Sequence, residues 1–109
     1  MAFDEGLAER VREHLGERPA MEEKRMFGGV AVMLNGNVAC GILNDDLIVR
    51  VGPDRYRAAL GKPGTREFDI TGRSMNGWVM VGPDGVEADT DLADWIDLGI
   101  SFALSLPPK

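Results

Sequence analysis

At 109 residues the chain has the length of one domain, enough to close a hydrophobic core without disulfides or a structural metal. Hydrophobic residues make up 44% and charged residues 28%, the balance of an ordinary globular protein, which excludes a disordered or membrane-embedded chain. A formal net charge of -6 disfavours binding to a phosphate backbone, and one cysteine, Cys40, excludes an intrachain disulfide and the usual cysteine-based zinc frameworks.

The opening residues, MAFDEGLAER, carry acids where a secretory signal needs cations and an apolar core. No apolar run approaches the roughly 18 residues that span a bilayer, so a cytoplasmic location is expected. Phe3, Leu7, Val11 and Leu15 recur every fourth residue, which predicts an amphipathic helix over 3–15 that stops at Gly16. The stretch GERPAMEEK then reads as a polar connector around Pro19.

From residue 26 the period shortens. FGGVAVML, VACGIL and LIVRVG are short β-rich runs separated by NGN and NDD, both tight-turn signals, so an antiparallel meander is expected. GPDRYRAALG places Pro53 in a first turn and Gly61 at the end, which predicts a short inserted helix. TREFDIT reads as a fourth strand, GRSMNG as a loop and WVMVG as a fifth strand.

The last helix is expected to start at DTD, capped by Asp89 or Thr90. Leu92, Trp95, Ile96, Gly99, Ile100, Ala103 and Leu104 form its core face, and Leu98, Phe102 and Leu106 form a second apolar line. A helix apolar over so much of its circumference suits a partner on the side away from the sheet. The expected architecture is α+β: one domain over 1–109, with about five mainly antiparallel strands, helices at both ends and one short inserted helix.

The stretches KRMFGGVAVMLNGNVACGI, DDLIVRVGP, GRSMNGWVMV and LADWIDLGISFALSLPP together resemble the N-terminal domain of the TfoX/Sxy family of competence regulators, over residues 7–107. The most specific pieces are RMFGG and GRSMNGW, which stand in the family's order and separation. The resemblance implies an α+β domain with an antiparallel sheet. It also implies a regulatory role exercised through protein contacts, here in a single-domain member, and it supplies no catalytic residues to carry over.

Two stretches invite a binding reading. Lys24 and Arg25 precede Gly28 and Gly29, whose bare backbone would let an anion approach. Arg73 and Ser74 with Trp78 offer a second charged loop beside an aromatic wall. Joined by Arg50, the two would make a basic cleft for a small anionic ligand or nucleotide. The structural alternative is that the glycines relieve crowding, the Met and aromatic residues are core, and each arginine pairs with one of the 18 acids.

The remaining chemistry is sparse. His14 suits a helix C-terminus, Cys40 an apolar strand, and the acids at 44–46 and 89–91 suit turns and caps; no metal, cofactor or catalytic set is expected. The sequence therefore favours a non-enzymatic interaction domain. It is expected to work as a homodimer through Leu98, Phe102 and Leu106, with a regulatory protein as the other candidate partner and without direct contact to nucleic acid or membrane.

Overall fold

The computed structural model describes residues 3–18, 20–26, 28–69 and 74–108. Helix α1 (Glu5–Leu15) starts one residue after Asp4, whose carboxylate accepts from the backbone N–H groups of Gly6 and Leu7 at 2.8 and 3.2 Å. Phe3, expected inside that helix, instead precedes it and forms an isolated bridge with Asn44. Leu7, Val11 and Leu15 are buried as their spacing requires.

Six strands follow rather than about five: β1 (Met21–Met26), β2 (Gly29–Leu34), β3 (Asn37–Leu43), β4 (Asp46–Arg50), β5 (Thr65–Asp69) and β6 (Ser74–Val81). The added strand, β1, lies where a connector was expected. Its sequence MEEKRM is too polar to announce a strand, and it pairs only with β2 at the sheet margin, where charged residues guard an exposed edge. The tail of the GRSMNG stretch, expected as loop, already belongs to β6.

All pairings are antiparallel, in the order β1-β2-β3-β4-β6-β5. Between β4 and β5 the chain makes a 3-10 turn (Pro53–Arg55) and α2 (Tyr56–Leu60), the inserted helix, and α3 (Asp89–Ser105) closes the fold. The N-cap of α3 is Ala88, with no side-chain cap; Asp89 is already helical and receives Arg10 at 3.0 Å. Neither Asp89 nor Thr90 is the cap.

Strand alternation sorts the side chains into two layers. Val32, Leu34, Cys40, Ile42, Leu47, Val49, Val79 and Val81 meet α1 and the Leu92, Trp95, Ile96 and Ile100 face of α3. Ala31, Met33 and Val38 form one cluster on the opposite face, Ile48, Phe68 and Met80 another, and Trp78 packs against both. Leu104, expected in the core, is 56% exposed. Helix and sheet touch most closely at Gly99, where a Cβ would sit 2.3 Å from the Ala39 carbonyl oxygen.

Polar ties fix the helices to one another and to the sheet edge. The Arg10 guanidinium donates to the carbonyls of Val86 and Glu87 at 2.8 and 3.2 Å, joining α1 to the segment before α3. His14 Nε2 lies 2.8 Å from Asp97 Oδ1, and Arg12 grips Glu23 of β1 with two nitrogens, each at 2.9 Å.

Candidate functional site

Lys24 and Arg25 are successive residues of β1 and project to opposite faces of the sheet. The Arg25 guanidinium carbon lies 5.9 Å from the Phe3 ring centroid, on the helix side, whereas Lys24 Nζ lies 3.8 Å from Glu22 Oε1 on the other. The two cations therefore do not act as a pair. Arg25, Met26, Gly28 and Gly29 line a shallow hollow of about 280 Å³.

The glycine pair has a structural duty. Gly28 has φ of +82°, in the left-handed region that favours glycine, and a Cβ at Gly29 would lie 2.0 Å from the Ile42 carbonyl oxygen. Backbone approaches backbone here, which satisfies the crowding explanation of the two glycines.

Trp78 stands on β6, four strand spacings from β1, or about 19 Å along the sheet. The register widens the gap. Arg25 aligns through Val30, Ile42 and Leu47 with Val81, while Trp78 aligns with Arg50 at the other end of those strands. The RMFGG strand end thus lies apart from Trp78, the aromatic wall of the cleft expected from Lys24, Arg25 and Arg73 with Arg50. Arg73 lies outside the described residues, and Ser74 is described by its backbone alone, as the first residue of β6.

A different grouping does assemble, around Arg50. Its guanidinium carbon lies 5.3 Å from the Trp78 ring centroid and 5.3 Å from that of Phe102. Trp78 is its cross-strand partner, and Phe102 arrives from α3 with its ring against Gly52. Gly52 has φ of +89°, and a Cβ there would meet the Phe102 ring at 2.5 Å, so only glycine leaves room for the ring. Against the other side of Phe102, residues Val51 to Arg55, Ser101 and Ser105 complete a hollow of about 260 Å³.

The interface residues are half inside. Leu98 packs against the main core, Phe102 is held by Gly52 and Arg50, and Leu106 is half-buried just beyond the last helical turn. Exposed Ser101, Leu104 and Ser105 lie on the outer side of the same turns. From Leu98 to Pro108 the chain carries no charge.

Other chemistry-bearing groups are occupied structurally. Cys40 is fully buried, and that burial, followed by the negative charge of Glu23, pushes its thiol up to about 12, so it stays protonated and inert. Asp46 receives Arg66, and the Asn44 carbonyl accepts from the Asp4 N–H at 2.7 Å. A hollow of about 570 Å³ opens beside α1 among Asp4, Asp45, Asp84 and Glu87; its one cation, Arg10, is already committed. Among the described residues no His, Cys, Asp and Glu cluster suits a metal ion, and no helix is long and apolar enough to cross a membrane.

Sequence reasoning placed Arg50 and Trp78 in one binding site but assigned Phe102 to the interface. Nothing in their spacing shows that a residue of the last helix reaches the end of β4. Among protein-family models, the one described as the TfoX N-terminal domain matches residues 13–103. No curated protein and no solved structure matches the chain.

Proposed function

Since the chain belongs to the TfoX N-terminal domain family, we infer that it is a small regulatory domain of the competence-regulator type, acting through protein contacts as a pair of identical copies. The observation that supports this reading is the uncharged run from Leu98 to Pro108, which ends α3 at the surface of a molecule whose net charge is -6. Two acidic copies repel over most of their surfaces. An uncharged face with a 56%-exposed Leu104, flanked by the small side chains of Ser101 and Ser105, is where two helices approach without that cost.

Sedimentation equilibrium tests the reading. Leu104 belongs to no core cluster, so Leu104→Glu adds a charge to the proposed contact without removing core packing. The wild-type chain is expected to sediment as a dimer, with Leu104→Glu and Leu106→Ala shifted towards monomer and the Leu104→Glu melting temperature little changed. A wild-type protein that stays monomeric at high micromolar concentration overturns the self-association. The alternative, an anion shared between the RMFGG and GRSMNGW stretches, loses support from the separation of Lys24 and Arg25 from Trp78.

A further inference from the structure

We propose that Arg50, set beside the rings of Trp78 and Phe102, is a recognition site for the carboxylate of a small organic acid. The proposal rests on a different observation from self-association, although Ser101 and Ser105 border both. It rests on the state of the guanidinium: two aromatic rings lie near it, each centroid 5.3 Å from the central carbon. Among the described residues the Arg50 guanidinium makes no hydrogen bond and no ion pair, although the chain carries 18 acidic residues, of which Arg10 and Arg66 hold one each and Arg12 two.

Contact with two aromatic rings restricts the side chain's rotation and displaces part of its water. The ordering cost of presenting a rigid fork is thereby met before any ligand arrives. What remains unsatisfied is a row of coplanar N–H donors, whose best complement is a coplanar, bidentate carboxylate. A tetrahedral phosphate fits less well. One arginine supplies neither the several cations nor the turned backbone N–H groups that phosphate sites usually combine.

The surroundings limit the size of the acid. The adjoining hollow behind Phe102 holds about 260 Å³, below the roughly 300 Å³ at which drug-sized sites begin. Asp54, Arg55, Ser101 and Ser105 line it, so an acid and a cation offset one another there and two hydroxyls face the rest of a small polar molecule. With a single fork as the anchor, affinity is expected near millimolar.

Succinate is the probe, with inorganic phosphate as the tetrahedral comparison and sodium chloride at matched ionic strength as the blank. Titrations are followed by the Arg50 Nε–H and Trp78 indole N–H resonances of the labelled full chain. Succinate is expected to shift both signals saturably, phosphate to shift them less, and chloride not at all. Arg50→Lys, which keeps the charge and loses the fork, is expected to weaken succinate binding about ten-fold or more. Phe102→Leu is expected to weaken it about three-fold, and Lys24→Gln, on the far strand, to leave it unchanged.

Absence of a saturable succinate shift in the wild-type chain overturns the proposal, as does phosphate binding more tightly than succinate. Wild-type affinity in a folded Arg50→Lys variant overturns it too. Should Arg50→Lys fail to fold, the wild-type titrations and Phe102→Leu decide the matter. Sedimentation of the succinate-saturated protein separates this site from the dimer contact, since loss of either leaves the other measurable.

Discussion

Gly99 sits mid-helix, where alanine is ordinarily preferred over glycine by about 1 kcal/mol. Here the preference reverses, because a Cβ would lie 2.3 Å from the Ala39 carbonyl oxygen and no flexible side chain can move aside. Gly99→Ala is therefore expected to destabilise the protein by about 1–3 kcal/mol as α3 is pushed off β3, read as a lower urea midpoint at unchanged slope. A midpoint at or above wild type would show that helix and sheet have slack there. The sequence marks Gly99 as part of the core face, yet the contact that demands glycine comes from β3, some sixty residues earlier. The same holds for Gly29: its position before an apolar strand was legible, whereas its approach to Ile42 depends on how β2 lies against β3.

At the scale of elements, α1 and the edge strand β1 are joined by Arg12 and Glu23. The hydrogen bond from Arg12, with its positive charge adding to it, holds the Glu23 carboxyl below the usual carboxylate range against the opposing effect of burial. A carboxyl lowered in the folded state stabilises the protein at pH values above its unfolded pKa. That contribution fades as pH falls through the lowered folded value. Glu23→Gln should thus cost a little stability at neutral pH and nothing in strong acid, so that urea midpoints of variant and wild type converge on acidification. The side chains are 37% exposed on both partners, so the effect is expected to be small. A constant difference across the pH range would assign the loss to packing rather than charge. Here the sequence misled: a strand of five exposed residues out of six has no apolar alternation, and only pairing with β2 makes it a strand.

For the whole molecule, net charge and the uncharged run at the end of α3 set how copies are expected to meet. If dimers form through the end of α3, the mutual repulsion of two chains of charge -6 opposes them, and salt screens it. Self-association is expected to strengthen several-fold between about 50 and 500 mM sodium chloride, the reverse of an interface built on ion pairs; weaker association at high salt would move the contact to a charged face. The sequence by itself determined the α+β class, the helix at each end, the hairpins at Asn35–Gly36 and Asn44–Asp45, and the core face of α3 apart from Leu104. These follow from periodicity and turn chemistry, which act over a few neighbours. Only the tertiary structure decided which distant residues share a site. Strand order put RMFGG and Trp78 four strands apart, strand alternation sent Lys24 and Arg25 to opposite faces, and the packing of α3 carried Phe102 onto Arg50. Each depends on pairings between segments far apart in the chain, and composition and spacing leave no trace of them.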